Sequence, residues 1–172
     1  MIINRVWAMP SAWTFTIKPI KELLEEYVPK DENWLDPFAG ENSPAKWKND
    51  MSPERNSQFH LDAFEFAKEV ERLTGVREFD GVLFDPPYSN RQISEHYKQV
   101  GIKASRFDTS ARFYSRIKKE IAPKIKKGGT AISFGWNTVG FGKVNGFRIV
   151  EILIVSHGGA KNDTLCTVEV KV

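Results

Sequence analysis

The sequence predicts an α/β fold: a doubly wound, mostly parallel sheet with helices on both faces and one antiparallel strand at the C-terminal end. Three observations carry this. Short apolar runs alternate with segments of helical periodicity, and Pro and Gly punctuate them along the whole chain. Residues 147 to 172 hold two β-rich runs around Gly158 and Gly159, the pattern of a hairpin.

In order, residues 19 to 29 (PIKELLEEYVP) predict a short amphipathic helix. Pro19 suits its first turn, Ile20, Leu23, Leu24 and Tyr27 recur at helical spacing, and Pro29 ends it. NWLDPFAG, residues 33 to 40, reads as a brief buried strand running into a glycine turn, with a helix expected over ENSPAKWK and a weaker strand at Trp47 to Met51. SQFHLDAFEFAKEVERLTG predicts a short strand, then a helix with Asp62 as cap, Phe66, Val70 and Leu73 on one face, and Gly75 at the stop. DGVLFDPPY is an apolar strand cut off by two prolines. The stretch that follows reads as one or two helices, the clearest over Ser110 to Lys127, and a strand restarts after Gly128 and Gly129.

Composition bounds the function. The 172 residues are 41% hydrophobic and 27% charged with 12 Phe and 5 Trp, enough for one sizeable core, so a single domain over residues 1–172 is expected and disorder, collagen-like repeats and coiled coil are excluded. No apolar run approaches the roughly 18 residues a membrane span needs, and MIINRVWAMPSAW lacks the features of a signal peptide. A cytoplasmic protein without membrane contact is expected. The lone Cys166 can form no internal disulfide, and three scattered histidines make no zinc cluster, so no metal is expected.

Net charge is +3, but residues 91–127 carry eleven Lys/Arg against three Asp/Glu, a local +8 that leaves −5 for the rest. Such clustering fits a polyanionic partner such as nucleic acid, and equally a solvated helix face.

In doubly wound sheets ligands bind at the carboxyl ends of strands. Asp36 ends one strand before Pro37-Phe38-Ala39-Gly40, where Gly40 lets backbone approach a ligand; an ordinary turn with Asp36 as cap fits the same residues. Asp50, near the end of the second strand, is placed to accept from ribose hydroxyls or to be a surface-loop residue, and Asp62 to meet an adenine amine or to cap a helix. The sharpest feature is Asp85-Pro86-Pro87-Tyr88. Two prolines remove two N–H donors and turn the chain rigidly, displaying carbonyl acceptors beside the Asp85 carboxylate, which suits an exocyclic amine with Tyr88 as a flat face for an extruded base. A strand terminator with a packed Tyr is the plainer alternative.

Asp-Pro-Pro-Tyr at 85 to 88, after Asp-Pro-Phe-Ala-Gly at 36 to 40, resembles the catalytic and cofactor motifs of S-adenosylmethionine-dependent amino-methyltransferases, particularly the DNA adenine-N6 methyltransferases. Phe15-Thr16-Ile17-Lys18-Pro19 is similar to the family's motif before its first strand, and Asn49-Asp50-Met51 and Leu61-Asp62-Ala63 sit where the family places ribose and adenine contacts. The resemblance implies a Rossmann-like class I methyltransferase fold and S-adenosyl-L-methionine as cofactor. Lys18, Asp36, Phe38, Ala39 and Gly40 would shape the methionine pocket, Asp50 the ribose site, and Asp62 with Ala63 the adenine site. Asp85 and the carbonyl of Pro86 would grip the target amine, with Pro87 completing the turn and Tyr88 stacking on the base. Asn42 stands where the family usually has a second Gly, and the chain has no room for the separate recognition region that sequence-specific enzymes of this kind often carry.

The expected activity is therefore methyl transfer to N6 of adenine, in DNA. Arg91, Arg112, Arg116 and Lys119 are expected to hold phosphates and Trp136 to line the base entrance, with His157 a surface turn residue and Cys166 part of the core. An RNA base methyltransferase, including a guanine-N2 enzyme of ribosomal RNA, and a catalytically silent nucleic-acid-binding subunit are the alternatives. A homo-oligomer or a specificity partner is compatible with either.

Overall fold

A computed structural model describes residues 1–87, 111–159 and 161–172. The elements are β1 (Ile2–Trp7), α1 (Lys18–Tyr27), β2 (Trp34–Asp36), β3 (Trp47–Lys48), α2 (Ala63–Thr74), β4 (Phe79–Phe84), α3 (Ala111–Ile121), β5 (Ile125–Gly135), β6 (Phe147–Ser156) and β7 (Thr164–Lys171). All seven strands join one sheet in the order β1-β6-β7-β5-β4-β2-β3. β7 runs antiparallel to both β5 and β6, and every other pairing is parallel. From β2 the chain moves outward to β3 and returns to β4 on the other side of β2. Strand order thus reverses between β2 and β4, and a crevice opens at their carboxyl ends.

Burial explains why these segments fold as they do. Successive β4 side chains face opposite ways: Val82 and Phe84 pack with α2 and α3, while Leu83 packs with α1. α1 carries Pro in its first turn and buries Ile20, Leu23 and Leu24. In α2 the Asp62 carboxylate accepts from the amide of Phe64 at 2.8 Å, and Gly75, at φ 72°, closes the other end in the left-handed conformation. Gly81 lets β4 lie against β2, since a Cβ there would sit 2.6 Å from the Trp34 indole.

Four segments depart from the sequence-based expectation. No helix forms over ENSPAKWK: residues 41–46 are turn and irregular backbone. Pro44 disfavours helical backbone at Ser43, whose hydroxyl donates instead to Asp36. The strand expected before α2 is reduced to a single bridge, Asn49 to Phe59. The basic helix is shorter than 110–127: α3 ends at Ile121, Pro123 lies in a 3₁₀ turn, and β5 starts at Ile125, before the two glycines. β1 is an addition with no periodic signal, because all six residues of IINRVW are exposed on an edge strand beside β6.

Tyr88 and Arg91 lie outside the described residues. Among those described, no helix is long and apolar enough to cross a membrane, and no group of three or more His, Cys, Asp or Glu could hold a metal ion.

Candidate active site

The crevice is a cavity of about 540 Å³. Its walls include Phe38, Ala39 and Gly40 after β2, Asp50 and Met51 after β3, Ala63 at the start of α2, and Asp85, Pro86 and Pro87 after β4. Sequence-distant residues complete it: Pro10 to Phe15, Arg55, Tyr114 of α3, Trp136 after β5, and His157, Lys161, Asn162 and Thr164 around the β6–β7 turn.

Side chains, not a helix, hold the loop after β2. Asp36 is fully buried behind the cavity wall; its carboxylate accepts from the amide of Phe38 at 2.9 Å and the hydroxyl of Ser43 at 2.6 Å. Asn49, also fully buried, donates to the carbonyls of Pro37 at 3.1 Å and Leu61 at 3.0 Å and accepts from the amide of Leu61 at 2.9 Å. One amide group thereby fixes the loop after β2 to the segment entering α2. Asp50 lines the cavity, accepting from the amides of Gly40 at 3.2 Å and Ser52 at 2.8 Å. A carboxylate has capacity for further donors beyond these two. Gly40 has φ 54° and lies against Trp13, whose ring would be 3.4 Å from an added Cβ. The Arg55 guanidinium stacks 5.0 Å from the Trp13 ring and pairs with Glu41 at 3.0 Å.

The carboxyl groups act on one another. Burial pushes Asp36 up to about 8, against the hydrogen bonds from Ser43 and Phe38, and the charges of Asp85 and Asp50 push the same way. Burial, with the nearby Asp85 charge, also raises the Cys166 thiol, which lies in the core as expected. The cavity wall carries the carboxylates of Asp50 and Asp85 together with the cations of Arg55 and Lys161, while Asp36 behind it holds its proton near neutral pH.

The remaining candidates separate. Ala63 lines the cavity, but Asp62 caps α2 and is not among its walls. Lys18 points into solvent, 3.9 Å from Glu22. Arg112, Arg116 and Lys119 are exposed on α3 outside the cavity wall, with the Arg116 guanidinium 4.5 Å from the Phe64 ring centre. Trp136 stands at the cavity, about half exposed. His157 is not the surface residue expected: it is buried, its Nδ1 2.9 Å from the carbonyl of Ala8 and its Nε2 2.9 Å from the Thr164 hydroxyl. It ties the chain leading to Trp13 to the β6–β7 turn. Sequence reasoning missed Trp13 and Arg55 as wall residues, since neither carries a local motif.

No protein-family model matches the chain, and no curated protein matches it by sequence. Solved structures match it by shape. TrmN from Thermus thermophilus aligns at 14% identity and TM-score 0.56 over 91% of this chain and 49% of TrmN, so the chain spans about half that protein's length. N-methyltransferase NodS from Bradyrhizobium japonicum WM9 aligns at 11% identity and TM-score 0.56, over 90% of this chain and 94% of NodS. The Burkholderia thailandensis 1,6-didemethyltoxoflavin-N1-methyltransferase, solved with 1,6-didemethyltoxoflavin and S-adenosylhomocysteine, aligns at 12% identity and TM-score 0.57, over 90% of this chain and 77% of the enzyme. With its seven-stranded sheet, single antiparallel strand and strand-end cavity, the chain has the Rossmann-like fold of class I methyltransferases.

Proposed function

We propose that this chain transfers the methyl group of S-adenosyl-L-methionine to N6 of adenine in DNA. The observation that carries the reading is that Asp85-Pro86-Pro87 and the Phe38 to Gly40, Asp50 and Ala63 set line one cavity. The residues present suit the cofactor. Asp50 offers a carboxylate to ribose hydroxyls, Met51 and Ala63 offer apolar surface to a purine, and Gly40 leaves room beside Trp13 for a ligand to approach backbone. When bound, S-adenosyl-L-methionine supplies a methyl group on a positively charged sulfur.

The chain's own contribution is positioning. The Asp85 carboxylate and the Pro86 carbonyl accept the two hydrogens of the target amine, which draws its lone pair out of conjugation and orients it for attack. No strong base is needed. Neither proline brings an N–H donor into the turn. Arg112, Arg116 and Lys119, together with Arg91, would hold phosphates, while Tyr88 and Trp136 would contact the base.

The test is incubation with labelled S-adenosyl-L-methionine and separate pools of duplex DNA, single-stranded DNA and RNA, followed by digestion and mass identification of the methylated nucleoside. N6-methyladenine in DNA supports the reading. A methylated guanine in RNA overturns it in favour of an RNA enzyme, and no cofactor binding at millimolar concentration favours a silent nucleic-acid-binding module.

A further inference from the structure

We propose that Tyr114 of α3 is a positioning residue that sets the Asp85-Pro86-Pro87 turn and withdraws the Pro87 carbonyl from the acceptors facing the substrate. The consequence for catalysis rests on the methyl-transfer reading above; the geometry does not.

The need for such a residue follows from the sequence. Pro86 and Pro87 lack N–H groups, so the turn cannot be tied down by donating from these two peptide units, and bonds accepted by its carbonyls carry more of its fixing. The Tyr114 hydroxyl supplies one, donating to the carbonyl of Pro87 at 2.9 Å. Its ring is fixed in turn. It meets Phe84, the residue before Asp85, edge to face at 6.3 Å, and Phe38 of the loop after β2 in the same way at 6.3 Å. Phe38 and Phe84 meet each other at 5.3 Å and 89°. Three mutually edge-on rings thus join the loop beside Asp50 to the turn carrying Asp85, at separations where such pairs attract.

One helical turn on, Lys118 donates to the carbonyls of Val139 at 3.1 Å and Gly140 at 2.8 Å, so the same face of α3 also fixes the loop after β5. With the Pro87 carbonyl held by Tyr114, the turn is fixed beside the Pro86 carbonyl and the Asp85 carboxylate, the pair that the methyl-transfer reading assigns to the two hydrogens of a primary amine. Tyr114 therefore acts on the reaction through Pro87 and need not touch the substrate.

The test is Tyr114→Phe, which keeps the ring and removes the hydroxyl. We expect kcat for methyl transfer to fall by about thirtyfold, the scale of a sub-ångström misplacement, while KM for S-adenosyl-L-methionine and the melting temperature stay near wild type. A kcat within twofold of wild type overturns the proposal, as does a rise in KM for the cofactor with kcat unchanged. Should the wild type methylate no nucleic-acid pool, the methyl-transfer reading fails, and crystal structures of wild type and Tyr114→Phe decide the positioning claim. A shifted or unfixed Pro87 carbonyl in the variant supports it. An unmoved carbonyl overturns it.

Discussion

The Ser43 hydroxyl donates to the buried Asp36 carboxylate at 2.6 Å, and this bond, with the amide of Phe38, holds the loop after β2 without a helix. Both bonds favour the anion, yet burial outweighs them and pushes Asp36 up to about 8. A carboxyl raised on folding from its ordinary value of 3.8 binds its proton more tightly in the native state. The stability it contributes is fully present below pH 4 and is lost as pH rises towards 8. The variant Asp36→Asn should remove this slope, up to about 1.4 kcal/mol per pH unit between those limits. Chemical denaturation of both proteins across pH 4 to 8 measures it; parallel curves would disprove the assignment.

Asp85→Ala should abolish methyl transfer while leaving cofactor affinity within about tenfold, because the carboxylate is proposed to accept from the target amine rather than from the ribose. Substantial turnover by this variant would remove Asp85 from the mechanism.

For Asp50, the expected loss is in binding. Asp50→Ala leaves the amides of Gly40 and Ser52 without their acceptor and removes the partner proposed for the ribose hydroxyls. Calorimetry with S-adenosylhomocysteine should show affinity weakened by about 1–3 kcal/mol. Unchanged affinity would make Asp50 a loop-holding residue alone.

Glu169 of β7 is fully buried and accepts from the amides of Phe141 at 2.6 Å and Gly142 at 2.9 Å. Glu169→Ala strands both donors, for a cost of about 2–5 kcal/mol in unfolding free energy. Urea denaturation reads this directly, and a loss below about 1 kcal/mol would mean that water replaces the carboxylate.

Arg112, Arg116 and Lys119 lie at i, i+4 and i+7 and are exposed together on α3. Reversing their charge should weaken binding to many nucleic-acid sequences alike and flatten its salt dependence by up to about 0.9 in slope per lost phosphate contact on duplex DNA. An effect below about 0.5 kcal/mol would identify a solvated face turned away from the substrate.

Local physics made much of this fold legible in the sequence. Apolar periodicity located α1 and α2, the Asp62 cap and Gly75 bounded α2, and the run before Asp85 declared β4, because helix caps and buried strands are written in adjacent residues. Cys166 declared its burial by composition. Other features were decided only in three dimensions. β1 has no alternation of apolar and polar residues, since a fully exposed edge strand needs none, and its place beside β6 follows from pairing across 149 positions in sequence. The helix expected after Gly40 does not form because Pro44 disfavours helical backbone at Ser43, whose hydroxyl bonds the Asp36 carboxylate instead. His157 looked like a turn residue until the carbonyl of Ala8 came within 2.9 Å. The aspartates that end the strands could be named from sequence because strand ends are local. Tyr114, Trp13, Arg55 and Lys161 join them at the cavity through chain folding, which brings to one wall residues that no sequence spacing relates.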